Sequence, residues 1–226
     1  MATQQPRSPE EPRVAAALLG LLAVVSLYAF LQSPFFSLAQ LTVEGNETVS
    51  FDDIAAFSGV RRGDNLLRVD MQEVAAAVAG HPRIERAAVR RRLPGTLVIA
   101  VVEYEPLLLA VSDEGVTALA HDGSRVPVSE EEAARLPVFY GTVDDVDATL
   151  LRLAAWMPPD VRSRILEVVV ERDGFVLRGR TGETVLVGDA DQLSRKLSIA
   201  SDLLRQERYA VIDVRFPASP TVRPAR

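Results

Sequence analysis

Two histidines, His81 and His121, are the first side chains to ask about, because imidazole holds metals and moves protons near neutral pH. His81 precedes Pro82 at the end of a helical pattern, and His121 precedes an Asp-Gly turn. Neither has a third suitable ligand nearby in sequence, so a metal site is not expected. Asp144, Asp145 and Asp147 imitate calcium ligands, yet they lack the spacing and the glycine of a calcium loop. Their position suits the start of a helix, where carboxylates meet the positive end of the dipole. No GxSxG nucleophile elbow is present, and GRTGETVLVG (179–188) matches neither phosphate-loop pattern. With 0 Cys, thiolate chemistry and disulfides are excluded. Pairs of carboxylates for hydrolysis stay open, since they can meet only in the fold.

The run Arg90-Arg91-Arg92 invites a nucleic-acid reading. Strand alternation sends its side chains to opposite faces, and residues 40–105 carry more acidic than basic groups. A solvated strand face is expected there, with no nucleic-acid partner and no small-molecule substrate. The net charge of −6 points the same way. Asn46-Glu47-Thr48 is formally a glycosylation sequon, but Gly45-Asn46 reads as a turn.

The elements around these residues start with VAAALLGLLAVVSLYAFL (14–31), which carries no charge and suits a membrane span of about 20 residues. Arg7 and Arg13 precede it, and no basic residue follows until Arg61, which places the N-terminus inside. A cleaved signal peptide with Ser37–Ala39 as its site is the competing reading. Its apolar core would be longer than the usual 7–15 residues or so. The expected organisation is a cytoplasmic tail at 1–13 and an anchor at 14–33. Folded modules at 37–105 and 106–216 follow, then a disordered C-terminal tail at 217–226.

The first module reads strand–helix–helix–strand–strand. LAQLTVEG ends at a Gly-Asn turn, and Ser50 caps a helix that Gly59 stops. Asp70, with Glu73 completing a capping box, opens a second helix with Met71, Val74, Ala75, Val78 and Ala79 on one face. IERAAVRRR and LVIAVVEYEP form a hairpin around Pro94-Gly95. In the second module, a hairpin turns at Gly115 and EEEAAR is a solvated stretch. LPVFYG is an apolar plug, and helices are expected at about 145–157 and 191–205. Three strands run through 165–188, and Tyr209–Phe216 is the last ordered strand.

VEGNETVS, GDNLLRVD and HPRIERAAVRRRLPGTLVIAVVEYEP, following a single span, resemble the POTRA domain of the bacterial division family FtsQ/DivIB, and the second module resembles that family's β domain. The fold class implied is α+β: one N-terminal transmembrane helix, a β-α-α-β-β POTRA domain, and a mostly antiparallel β domain with packed helices. The resemblance further implies a non-catalytic bitopic scaffold of the division septum, without cofactor. Its partners would be FtsB/DivIC-type and FtsL-type bitopic proteins, other divisome membrane proteins, and the membrane through residues 14–33. The partner tail would add as a strand to the last strand of the β domain. The matching residues are Tyr209, Ile212, Asp213, Val214, Arg215, Phe216, Ala218 and Ser219, with Arg215 gripping a carboxylate, Phe216 filling an apolar contact and Pro217 ending the pairing. A strand at the end of a chain often leaves one edge unpaired, which suits such addition. A membrane-anchored extracytoplasmic cell-wall enzyme is the other reading. It calls for a concave pocket with converging ionisable groups where a scaffold calls for a free sheet edge.

Overall fold

The computed structural model describes residues 11–225, so most of the tail expected at 1–13 lies outside the described residues. Helix α1, Glu11–Leu31, begins earlier than the expected anchor, with Pro12 in its first turn, where no intrahelical N–H is lost. From Ala15 onward its side chains are exposed all round, and one stretch, Ala15–Phe36, is long and apolar enough to cross a membrane. A single 3-10 turn, Pro34–Phe36, follows. The chain then divides into two compact units between Glu103 and Tyr104.

The first unit holds β1 (Gln40–Glu44), α2 (Phe51–Ser58), α3 (Met71–Ala79), β2 (Ile84–Arg92) and β3 (Thr96–Glu103). Its three strands lie in the order β1-β3-β2, with β1 parallel and β2 antiparallel to β3. Ser50 accepts the Asp53 N–H at the head of α2, and Gly59 closes that helix at φ +67°. Asp70 accepts the Gln72 and Glu73 N–H groups at the head of α3, so the Asp70 half of the expected box forms. Ile54, Val74, Val78, Ile84, Ile99 and Val101 pack into one core. Gly45 is required: at φ +86° a Cβ would sit 2.4 Å from the Val101 carbonyl oxygen.

Glu103 ties the end of β3 to the entry of α2. Its carboxylate accepts N–H groups from Glu47 at 2.7 Å, Val49 at 2.9 Å and Thr48 at 3.0 Å. Burial pushes its pKa up, but the backbone donors of Val49, Glu47 and Thr48 outweigh this, and the group ends below the ordinary glutamate value. Because the folded-state pKa is depressed, the stabilisation is complete above the unfolded-state value of about 4.3 and is lost as pH falls through the lower folded-state value. Glu103→Gln should cost about 1–2 kcal/mol at neutral pH and flatten this acid limb, read by urea unfolding of the full chain in micelles. An unchanged acid limb would show that this carboxylate does not hold the loop.

The second unit runs β4 (Leu108–Ser112), β5 (Gly115–Leu119), β6 (Arg125–Val126), α4 (Glu130–Ala133), β7 (Val138–Tyr140), α5 (Ala148–Trp156) and α6 (Pro159–Arg162). It continues with β8 (Ile165–Glu171), β9 (Gly174–Gly179), β10 (Thr184–Gly188), α7 (Leu193–Leu204), β11 (Tyr209–Asp213) and β12 (Thr221–Pro224). The nine strands form one sheet in the order β12-β11-β10-β9-β8-β7-β4-β5-β6. Most neighbours are antiparallel; β10–β11, β4–β7 and β7–β8 are parallel. A core built around Leu153, Met157, Ile165, Leu177, Leu197 and Ile212 lies between this sheet and helices α5 to α7. Several segments gain structure beyond the sequence reading, β6 and α6 among them. EEEAAR starts with α4, opened by a full capping box between Ser129 and Glu132. The LPVFYG plug contributes β7, which joins β4 to β8.

The end of the chain departs most from expectation. The last-strand segment 209–216 is a strand only to Asp213. Within the segment expected to be a disordered tail at 217–226, Thr221–Pro224 returns as β12, antiparallel to β11. A turn over 215–219, closed by the Ser219 N–H on the Phe216 carbonyl at 2.9 Å, reverses the chain. Thr221 and Val222 are β-branched and favour the extended backbone, and Thr221 and Arg223 supply the groups that β11 would otherwise leave open.

Candidate docking edge

Strand β11 is an interior strand. It pairs with β10 on one side and β12 on the other, so the unpaired edge expected there belongs to β12. Ile212 and Val214 are each 0% exposed and point into the core, which removes them from any partner surface. Tyr209 is half-buried against the same core, its hydroxyl donating to Gln206 at 3.2 Å. Asp213 and Arg215 grip each other. The guanidinium donates to both Asp213 oxygens, at 3.0 Å and 3.1 Å from Nε and 2.6 Å from Nη2, and the Arg215 N–H adds a bond of 3.1 Å. The Arg215 guanidinium thereby holds the Asp213 carboxyl below the usual aspartate range against the opposing effect of burial, and the pair rivets β11 to the turn. Phe216, Ala218 and Ser219 are exposed on that turn, Phe216 to 73%.

The sheet edge itself lies where the sequence reading placed no site. The Val214 N–H donates to the Leu186 carbonyl of β10, so by alternation Ile212 also faces β10 while Val211 and Asp213 face β12. Opposite them, Arg223 pairs with Val211 and Thr221 with Asp213, and these two turn their backbone groups inward. Val222, opposite Ile212, therefore turns its N–H and C=O away from the sheet. Pro220 and Pro224 share that outward parity but have no N–H to offer. The outer edge of β12 thus carries one donor, at Val222, between proline carbonyls. The only advance signal was the β-branched pair Thr221-Val222, masked by its flanking prolines.

Several of the candidate chemical groups hold local structure, while His121 and Asp144 are exposed. His81 accepts the Arg83 N–H at 3.1 Å on Nδ1 and packs edge-on against Phe57. Asp145 accepts from the Thr142 N–H and hydroxyl, and Asp147 caps α5 through Thr149 and Leu150. Asn46 donates to the Val49 carbonyl within its turn. Of Arg90, Arg91 and Arg92, the first meets Glu44 at 2.9 Å while the second donates to the Val69 carbonyl. Among the described residues no group of three or more His, Asp or Glu is placed to hold a metal ion. A cleft of about 550 Å³ lies between Arg164, Arg180, Glu183 and Glu207. Arg164 and Glu207 form an ion pair within it, and Arg180 donates to the Ser163 and Leu136 carbonyls.

Comparison with known proteins bears on both units. A family model described as POTRA domain, FtsQ-type, matches residues 36–104, and one described as cell division protein FtsQ/DivIB, C-terminal, matches residues 103–215. The chain is 27% identical over 236 residues to cell division protein FtsQ of Mycobacterium tuberculosis, covering 99% of this chain and 74% of that protein. It is 22% identical over 216 residues to the FtsQ of Corynebacterium glutamicum, covering 93% and 95% respectively. The FtsQ of Rhizobium meliloti is 25% identical over 196 residues, covering 83% of this chain and 62% of its own length.

Proposed function

Since the chain belongs to the FtsQ/DivIB family of bacterial cell division proteins, we propose that it is a non-catalytic, single-span scaffold of the divisome. Its N-terminus lies in the cytoplasm, and residues 14–33 anchor its POTRA domain (37–105) and β domain (106 onward) outside the membrane at the septum. There it binds FtsB/DivIC-type and FtsL-type partners. The family supports a division role, and α1 supports the anchor.

The observation that carries the docking mode is the outer edge of β12, a terminal strand of a nine-stranded sheet beside the exposed Phe216 ring. A partner tail pairs with Val222, accepts its N–H and donates to the carbonyls along the edge. Phe216 supplies the apolar anchor. Asp213 and Arg215 hold the turn that presents it, in place of Arg215 gripping the partner directly.

Photo-crosslinking from Val222 and Phe216 in membranes should capture the membrane-proximal tail of the FtsB/DivIC-type partner, and crosslinking from the buried Ile212 should not. Capture only from positions in the first unit would move the site there. Phe216→Ala should weaken partner binding about ten-fold, as an exposed aromatic anchor does, without lowering the unfolding midpoint. Binding equal to the wild type would remove Phe216 from the interface.

A further inference from the structure

The loop between α2 and α3 and the β2–β3 turn are sewn to the segment that leaves the apolar span. The Leu66 N–H donates to the Phe36 carbonyl at 2.8 Å, Leu38 N–H to Asp64 at 2.8 Å, and Gly63 N–H to Leu38 at 2.9 Å. From the other side, the Gly95 carbonyl accepts the Ala39 N–H at 2.8 Å and the Gln40 N–H at 3.0 Å. The stretch able to span ends at Phe36. Residues 37–40 extend at most about 14 Å beyond it, so both loops lie within headgroup distance of the bilayer.

These loops carry a net positive charge, with Arg61, Arg62, Arg68, Arg91 and Arg92 against Asp64 and Asp70. Arg61, Arg62, Arg68 and Arg92 are exposed, and none pairs with a carboxylate among the described residues. The acids of the same loop are turned to its backbone and not to these guanidinium groups: Asp64 accepts the Arg61 backbone N–H, and Asp70 caps α3. Beside the arginines stand two apolar side chains with no core to enter, Phe35 at 61% exposure and Leu93 at 52%. Exposed apolar groups together with arginines on loops at the mouth of a span match a membrane interface, where the ring and alkyl groups enter the acyl boundary and guanidinium meets phosphate.

We infer that Arg61, Arg62, Arg68 and Arg92, with Phe35 and Leu93, form a collar that binds anionic phospholipid headgroups of the leaflet from which the first unit emerges. The inference rests on the anchored reading above. The collar adds a docked orientation to the covalent anchor, because attraction at several arginines restrains the unit's tilt. Each arginine near an anionic surface contributes about five-fold to the docked population.

Hydrogen exchange of the full chain in nanodiscs tests this. With phosphatidylglycerol discs, amides of residues 61–68 and 91–95 should exchange about ten-fold more slowly than with phosphatidylcholine discs. The difference should vanish at about 0.5 M salt, where the screening length is roughly 4 Å. It should also vanish in the R61Q/R62Q/R68Q/R92Q variant. Equal exchange of wild type in the two lipids, or protection indifferent to salt, would overturn the collar while leaving the anchor intact. A chain that fails to enter discs of either lipid would overturn the anchor, and the collar with it.

Discussion

Val222→Pro should reduce binding of the FtsB/DivIC-type tail by on the order of 100-fold, because it removes the one outward donor of the sheet edge and sets a ring against the incoming strand. The same substitution leaves the fold's own ladder intact. Val222 stands opposite Ile212 in a pair whose hydrogen bonds run elsewhere, and β12 is held to β11 through Thr221 and Arg223. Proline is tolerated on an edge strand when its missing N–H faces solvent, so the unfolding midpoint should hold within a few degrees. Arg223→Pro is the opposing control. It removes an inward donor, loosens β12 from β11, and should lower both stability and binding. Titration calorimetry of each variant against the partner tail separates the two cases. Undiminished binding by a folded Val222→Pro chain would falsify pairing at this edge.

Lys196→Ala should be the most damaging substitution away from the edge. Lys196 is the single lysine of the chain, and it sits on α7 with only 2% of its surface exposed. Its Nζ donates to the Asp189 carbonyl at 3.0 Å and the Asp189 carboxylate at 2.6 Å, tying the helix to the loop that leaves β10. Truncation empties the site of a long buried stem and should cost about 2–3 kcal/mol, a fall in the unfolding midpoint of roughly 10 °C. Lys196→Met refills the stem and removes the charge that had to be paired, so it should lie within about 1 kcal/mol of wild type. Asp189→Ala strands a buried ammonium and should be worse than the methionine variant. Because α7 packs on β10 and β11, the alanine variant should also lose partner affinity through the sheet that carries β12. If methionine proves as harmful as alanine, the charge pair and not the stem holds this corner.

Local signals were enough for the first unit. Ser50, Gly59 and Asp70 act within a turn of themselves, and the runs on either side of Pro94-Gly95 pair across a short connection. The uncharged run at 14–31 is likewise a property of contiguous residues, legible without any partner. In the second unit the sequence by itself determined strands at 165–188 and helix α7, whose periodicity is continuous. It also placed Asp213, Arg215 and Phe216 next to the candidate edge, through resemblance more than through physics.

Only the tertiary structure decided which strand is the edge. Sheet order is a non-local property, since β11 pairs with β10 across the whole of α7 and then accepts β12 from a segment rich in proline. Proline weakens the strand signal everywhere except at an edge, where an absent N–H costs nothing on the side facing water. The segment 220–224 therefore reads as unstructured one residue at a time and becomes a strand once β11 offers it a row of partners. The same reason separates Ile212 and Val214 from Phe216. Alternation in the sequence shows that neighbours point to opposite faces, but which face is core is set by helices from elsewhere in the chain. Burial of Lys196 and the exposure of Arg61, Arg62, Arg68 and Arg92 follow equally from what folds against them. Spacing along the chain specified the elements, and the pairing of their backbone groups in space specified the free edge.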